Sequence, residues 1–166
     1  LNFMEKKNIA SIYPCPFDGQ LRHEFNSSVF SNGELFAYEE AKITSVKNDP
    51  TAMFPERSLI MGLKQLNLKA SQIDLWILPK PKNVDPENLY LFFSDLFKAF
   101  TGKKKLFNRW IKKRIKFLKH HEMHIYSAIG TSRFKKGIYL SADGGGDEGD
   151  RRNFTWGHFN NLKIKE

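Results

Sequence analysis

The Asn32-Gly33 dipeptide constrains the fold of this chain more than any other feature of its sequence. It stands between two segments rich in strand-forming residues, Phe25 to Ser31 and Glu34 to Glu39. Asn and Gly both tolerate the positive φ that a two-residue hairpin turn requires at its central positions. The sequence therefore predicts an antiparallel hairpin here, and the apolar segment Ile9 to Tyr13 predicts one more strand before it.

The rest of the chain alternates between helical and strand patterns. Pro at a helix start, Asp as an N-cap and Gly after a helix end mark several boundaries. The predicted elements are a helix from Pro55 with Leu59, Ile60, Leu63 and Leu66 on one face, a strand from Ile73 to Leu78, a helix from Asp85 to Gly102, a basic helix from Lys103 to Lys119, a helix from His121 to Ser132, a strand from Gly137 to Ala142, and two strands within Asn153 to Lys165 that turn near Asn160-Asn161.

This order of elements predicts an α/β fold. Three strands followed by a helix, a strand and further helices are typical of the first part of an RNase H-like unit, from which the actin-type ATPase fold is built. We expect residues 1–136 to form a first RNase H-like subdomain with a mixed sheet and flanking helices. Residues 137–166 would supply the first strands of a second, truncated subdomain, and such proteins pair the two units across a nucleotide cleft.

The composition limits the kinds of site that the chain can carry. Of its 166 residues 40% are hydrophobic, including 15 Phe, which is enough apolar material for a core. Cys15 is the only cysteine, so an intrachain disulfide and a thiolate metal cage are both excluded. Any metal would need His or carboxylate ligands. No run approaches the roughly 18 apolar residues of a membrane-spanning helix, and we expect a cytoplasmic protein.

A net charge of +9 raises the question of an anionic partner. Much of the positive charge lies between Lys103 and Lys119, where Phe107, Trp110, Ile111, Ile115 and Leu118 recur at helical spacing. One interpretation is a solvated amphipathic helix with its apolar stripe on the core. The alternative is a basic surface that binds nucleic acid or phosphate.

Two histidines in the predicted helix after this segment are candidate metal ligands. His120 and His124 are four residues apart, so on a helix they project from one face and can bind one metal ion. The pair His121-Glu122 does not make a zinc-protease motif, because that motif requires a second histidine where this chain has Ile125. Taken alone, the spacing of His120 and His124 also suits ordinary surface histidines.

A second motif, Ser141-Ala142-Asp143-Gly144-Gly145-Gly146-Asp147, follows a predicted strand. An aspartate at a strand end can hold a cation, and glycines allow backbone N–H groups to approach phosphate oxygens. An acidic surface hairpin is the alternative, whereas a calcium loop is excluded because Gly145 stands at a ligand position. Together, two histidines and Asp143 form the kind of facial set that binds Fe(II) with open positions.

The segment HHEMHIYSAIGTSRFKKGIYLSADGGGD resembles the pattern His-His-x-x-His, Ala, Ser-x-Phe and Asp-Gly-x-Gly-Asp of the NodU/CmcH family of O-carbamoyltransferases. Residues nearer the start agree in order and spacing with the same family. These are His23, which falls where the family carries a His-Asp-x-Ser stretch but is followed here by Glu24 and Phe25, Asn32-Gly33-Glu34 in a turn, the acidic Glu39-Glu40, Lys47, and Phe54-Pro55.

The resemblance implies an enzyme that uses ATP and carbamoyl phosphate to make carbamoyl adenylate. Such an enzyme then transfers the carbamoyl group to a hydroxyl of a sugar, an antibiotic or a polysaccharide precursor. It also implies roles for individual residues. His120, His124 and Asp143 would hold Fe(II) or another divalent metal. Nucleotide phosphate would lie against Gly144, Gly145, Gly146 and Asp147. Lys47 would position anionic substrate, and His23 would assist proton transfer.

Members of the family continue into the rest of the ATPase-fold domain and a YrdC-like domain that makes carbamoyl adenylate. We therefore expect this chain to be the front part of such an enzyme, without a complete catalytic cycle of its own. The alternatives are a related ATPase-fold protein of the threonylcarbamoyl-transfer type, a basic nucleic-acid-binding module that uses Lys103 to Lys119, and a degenerate fragment kept for interaction alone.

Overall fold

A computed structural model describes residues 7–13, 25–46, 54–79, 109–143 and 154–165 of the chain. It divides into two compact units. Unit 1 comprises Leu1–Leu78 and Asn83–Lys116, and unit 2 comprises Pro79–Lys82 and Phe117–Glu166. The expected subdomain boundary after residue 136 stays a prediction.

A five-stranded mixed sheet is the framework of unit 1. Its strands are β1 (Ile9–Tyr13), β2 (Asn26–Ser31), β3 (Glu34–Glu39), β4 (Leu75–Pro79) and β5 (Ile115–Leu118), in the order β3-β2-β1-β4-β5. β1 pairs antiparallel with β2 and parallel with β4, and β2 pairs antiparallel with β3. The division between the two units falls after Leu78 in β4 and after Lys116 in β5, the edge strand.

The turn between β2 and β3 has the predicted geometry. Asn32 has φ 52° and Gly33 has φ 88°, both in the left-handed region that this type of turn requires. The register then pairs Ser31 with Glu34 and Asn26 with Glu39. The hairpin prediction is therefore confirmed, as is the strand Ile9–Tyr13 beside it.

Helix α2 (Glu56–Gln65) covers this sheet and supplies much of the core of unit 1. Its residues Leu59 and Leu63 are buried one turn apart, and Gly62 lies so close to β2 that an added Cβ would be 3.0 Å from Val29 Cγ2. Full burial of each large apolar side chain contributes about 1.5–3 kcal/mol. The buried core residues are Ala10, Ile12, Val29, Leu59, Leu63, Ile73, Trp76, Leu78 and Ile111.

The start of α2 is held by a carboxylate from another element. Helix α1 (Glu40–Thr44) begins with Glu40, whose side chain is buried. Its Oε1 accepts a hydrogen bond from Arg57 N at 3.1 Å, and its Oε2 accepts one from Ser58 N at 2.8 Å. Pro55, the N-cap, makes no side-chain cap, so Glu40 satisfies N–H groups that have no partner inside the helix.

The described part of unit 2 contains helix α3 (His120–Thr131) and an antiparallel sheet of the strands β6 (Lys136–Ala142), β7 (Phe154–Asn160) and β8 (Lys163–Lys165), in the order β6-β7-β8. α3 packs on one face of the sheet through a buried cluster. The cluster contains Ile125, Ile129, Tyr139 and Phe159, with Ile164 at its margin.

Several elements expected from the sequence are confirmed, and three details are corrected. α2, α3, β4, β6 and the final pair of strands lie where the patterns indicated, within one or two residues.

Ile60 is exposed rather than on the apolar face of α2, because it lies about 100° around the helix from Leu59. α1 was not expected, and the last turn falls at Asn161 and Leu162, one residue later than predicted. The predicted helix Asp85 to Gly102 lies outside the described residues.

The prediction of one basic helix from Lys103 to Lys119 is wrong in its final part. Residues 109–112 are helical, but Ile115–Leu118 form β5. Trp76 N on β4 donates a hydrogen bond at 2.7 Å to the backbone oxygen of Arg114, the residue directly before β5. Pairing with an available sheet edge satisfies the backbone of this segment and outweighs its helical spacing, which is only a weak determinant.

The fold class is thus a mixed α/β arrangement, with a mixed sheet of five strands and flanking helices. Within the described residues, no helix combines the length and the apolar composition needed to cross a bilayer.

Candidate metal centre

The first turn of α3 sets the position of the histidines. Lys119 precedes the helix in an extended conformation, and its backbone N–H donates to Glu122 Oε2 at 2.9 Å. A Glu three residues into a helix that accepts from the N-cap residue is one half of a capping box. This contact fixes the helix start at His120, so that His121 and His124 lie in its first two turns.

His121 belongs to the face of α3 that packs on the sheet. Residues 121, 125 and 129 are spaced by four, and therefore lie along one side of the helix. Ile125 and Ile129 of this series are buried, and His121 is half-buried. His124 lies one turn from His121 at a spacing of three, and is more exposed. The apolar contact between helix and sheet thus becomes polar towards the start of the helix.

β6 presents a matching series. Tyr139 and Ser141 are buried and point to the side covered by α3, whereas Ile138 and Leu140 are exposed on the other side. Side chains two residues apart share a face of a strand, so Asp143, directly after the strand end, continues the series of Tyr139 and Ser141. The carboxylate therefore arrives on the side where the histidines lie.

Polar contacts between described side chains join the helix to the strand and to the residue directly after it. His124 Nε2 lies 3.2 Å from Asp143 Oδ2, with side chains that are 53% and 38% exposed. His121 Nδ1 lies 3.0 Å from Ser141 Oγ, and Ser141 is only 7% exposed. The outer pair is accessible from solvent and the inner pair is largely enclosed.

The separation within the outer pair suits two adjacent ligands of one metal ion. Ligand atoms at about 2.1 Å from a metal lie about 3.0 Å apart at a right angle and about 3.4 Å apart at the tetrahedral angle. The 3.2 Å between His124 Nε2 and Asp143 Oδ2 falls between these values. The same distance also suits a direct hydrogen bond between imidazole and carboxylate. The geometry therefore permits metal binding and a plain polar contact alike.

The predicted third ligand, His120, is the first residue of α3, and its side chain is not among those described. Among the side chains that the structure does describe, no group of three or more His, Cys, Asp and Glu is positioned to hold a metal ion. The set of His120, His124 and Asp143 accordingly stays a prediction, of which two members are in contact.

The other predicted site residues fall outside the described parts of the chain. These are His23 and Lys47, assigned to proton transfer and substrate positioning, and the phosphate-binding Gly144, Gly145, Gly146 and Asp147. Their proposed roles rest on the sequence alone.

The contact between His121 and Ser141 was not expected from the sequence. Two signals could have indicated it: the doubled histidine at the start of the helix, and a serine two residues before the strand-end aspartate, on the same face. The spacings of three on the helix and two on the strand then predict that His124 and His121 meet Asp143 and Ser141 respectively.

A comparison with models of known protein families and a comparison with curated proteins both find no match for this chain.

Proposed function

We propose that this chain carries part of the metal and phosphate site of an O-carbamoyltransferase of the NodU/CmcH type. The observation that supports the proposal most is the approach of His124 Nε2 to Asp143 Oδ2 at 3.2 Å. These two residues come from separate motifs that the family pattern assigns to one metal, and helix packing on the strand brings them into contact.

The topology of unit 1 also favours this proposal. An RNase H-like subdomain would have three antiparallel strands in sequence, a helix, and a fourth strand parallel to the first. The order β3-β2-β1-β4-β5, with β1 parallel to β4 and α2 between β3 and β4, agrees with this expectation. The RNase H-like assignment and a nucleotide cleft are parts of the proposal.

The proposed reaction is transfer of a carbamoyl group from carbamoyl adenylate, made from ATP and carbamoyl phosphate. The acceptor oxygen forms a bond to the carbamoyl carbon, the bond from that carbon to the AMP phosphate oxygen breaks, and AMP leaves as an anion. The hydroxyl proton passes to a base, for which His23 is the candidate. Lys47 would position anionic substrate, and the glycines from Gly144 to Gly146 would offer backbone N–H groups to phosphate.

His120, His124 and Asp143 would hold Fe(II) or another divalent ion. When bound, the metal would supply positive charge that orients phosphate oxygens and stabilises the departing AMP. Two imidazoles and one carboxylate are a suitable ligand set for Fe(II). A reaction that uses ATP and carbamoyl phosphate also agrees with a cytoplasmic location, which is part of the proposal.

Anaerobic calorimetric titration with Fe(II) tests the proposed ligand set. We expect the 166-residue chain to bind Fe(II), and His120→Ala, His124→Ala and Asp143→Ala each to lower the affinity at least tenfold. His158→Ala is a matched control, because His158 lies on β7 in the same unit but outside the predicted set. Equal affinity in all five proteins would exclude the site.

A basic nucleic-acid-binding surface is the second candidate. Arg109, Lys112, Lys113 and Lys116 are exposed, and the Arg114 guanidinium lies 4.1 Å from the centroid of the Trp110 ring. Exposed cations beside an aromatic ring can contact phosphates and stack on bases. This candidate predicts that the chain binds RNA or DNA, and that the logarithm of the binding constant falls linearly with the logarithm of salt concentration. Absence of binding, or a binding constant that is independent of salt, would exclude it.

A further inference from the structure

We propose that His121 and Ser141 are positioning residues, which set the separation of the metal-binding pair His124 and Asp143. Nothing in the family pattern assigns a role to this contact. The inference rests on the proposed function, because it concerns the same metal site.

The two contacts between α3 and the end of β6 follow the regular spacing of the helix and of the strand. His121 and His124 are neighbours at a spacing of three on the helix, and Ser141 and Asp143 are neighbours at a spacing of two along the strand direction. The inner contact, His121 Nδ1 to Ser141 Oγ, measures 3.0 Å, and the outer contact measures 3.2 Å. A displacement of the helix along the strand would therefore change both distances together.

The two contacts differ in their surroundings, and this difference assigns them different roles. Ser141 is 7% exposed and lies beside the apolar cluster of Ile125 and Tyr139. A hydrogen bond in such a place resists competition from water. Asp143 and His124 are open to solvent, so their mutual contact is weaker in holding the helix in place. The inner contact is therefore suited to fixing the geometry, and the outer pair to binding a metal ion.

Apolar packing alone does not fix this geometry so closely. The cluster of Ile125, Ile129, Tyr139 and Phe159 holds the helix on the sheet, but hydrophobic contact is not directional. A hydrogen bond between defined atoms restricts the rotation and the sliding of α3 at the end where the ligands lie. Mutation of residues that orient metal ligands without binding the metal commonly lowers metal affinity by about 10–100-fold.

Metal titration of variants tests this role. Co(II) is the probe, because its visible absorption spectrum reports the coordination geometry as well as the affinity. Two variants, Ser141→Ala and His121→Phe, remove the contact. Two conservative variants keep a polar group in its place: Ser141→Thr keeps a hydroxyl, and His121→Asn places an amide near the Nδ1 position. We expect the first two to weaken Co(II) binding about tenfold and to alter the spectrum at saturation, and the second two to restore most of both.

Ile129→Val separates positioning from general stability. This change removes one methyl group from the same contact between α3 and the sheet and lowers stability by about 0.5–1.5 kcal/mol. We expect its Co(II) affinity to stay within twofold of the original chain, with an unchanged spectrum. Ser127→Ala, on the exposed side of α3, controls for the loss of a serine hydroxyl.

The outcomes distinguish this inference from the proposed function. If His124→Ala abolishes Co(II) binding while Ser141→Ala and His121→Phe keep the original affinity and spectrum, the metal site stands and the positioning role is wrong. If Ile129→Val weakens binding as much as Ser141→Ala does, the contact acts through stability alone and the positioning role is again wrong. If the chain binds no Co(II), both are wrong.

Discussion

Asp143 Oδ2 lies 3.2 Å from His124 Nε2, although the two residues belong to different elements and are 19 positions apart in the chain. A helix-borne imidazole and a strand-end carboxylate meet because α3 packs on the face of β6 that carries Tyr139 and Ser141. The candidate site thus depends on packing within one compact unit, and several features of both units lead to testable predictions.

Removal of the Glu40 carboxylate should destabilise unit 1. Glu40→Ala leaves Arg57 N and Ser58 N without their acceptor at the start of α2, and we expect a loss of about 2–3 kcal/mol in the free energy of unfolding. Urea denaturation followed by tryptophan fluorescence measures this, because Trp76 is buried in the same core.

Glu39→Ala is the matched control for that experiment. Glu39 precedes Glu40 in the chain, its side chain is 40% exposed, and its Oε2 lies 3.8 Å from Lys42 Nζ. A surface pair of this kind contributes little, so we expect a change under about 0.5 kcal/mol. Equal losses in the two variants would contradict the capping role of Glu40.

Gly157→Ala should disrupt the sheet of unit 2. A Cβ at this position would overlap Lys165 O on β8 and would lie 2.6 Å from the Tyr139 hydroxyl oxygen on β6. Because a backbone atom cannot be displaced cheaply, we expect a loss of about 1–3 kcal/mol, measured by thermal unfolding.

Gly130→Ala provides the comparison within the same unit. Gly130 lies in α3 and has no neighbouring atom within 4 Å of an added Cβ. Alanine is the better helix former, and we expect a gain of about 0.5–1 kcal/mol. A loss in this variant, or no loss in Gly157→Ala, would show that the packing described for unit 2 is incorrect.

A substitution at Leu162, in the turn between β7 and β8, should stabilise unit 2. This residue has φ 64°, a left-handed conformation that is unfavourable for leucine, and it is exposed. Leu162→Gly should stabilise unit 2 by about 0.5–1 kcal/mol, whereas Asn161→Gly should have little effect because asparagine already tolerates φ 47°. Thermal unfolding that ranked these two variants in the opposite order would contradict the described turn.

The elements that could be predicted from the sequence are those determined by local signals. Asn32-Gly33 specified its hairpin through backbone preferences at two adjacent residues, and the helix of His124 and the strand before Asp143 followed from their periodicity. β5 could not be predicted, because its conformation depends on pairing with β4, which is distant in the chain.

The contacts of the candidate site differ in the same way in how far the sequence indicates them. The approach of His124 to Asp143 needed only the right elements and a single packing contact between them, and sequence spacing indicated both residues. The contact between His121 and Ser141 does not follow from the resemblance, because neither residue has a metal-binding role in the family pattern. The capping role of Glu40 could not be predicted, because its partner Arg57 is 17 residues away and belongs to another helix.

The central claim is that His120, His124 and Asp143 bind one divalent metal ion. Imidazole ¹⁵N resonances of the chain during Zn(II) titration test it most directly, because each of the 5 histidines is observed separately. We predict that the resonances of His120 and His124 shift together and saturably, that His158 stays unchanged, and that Asp143→Asn weakens both shifts. Zn(II)-independent resonances for His120 and His124, or equal shifts with and without the Asp143 carboxylate, would contradict the account.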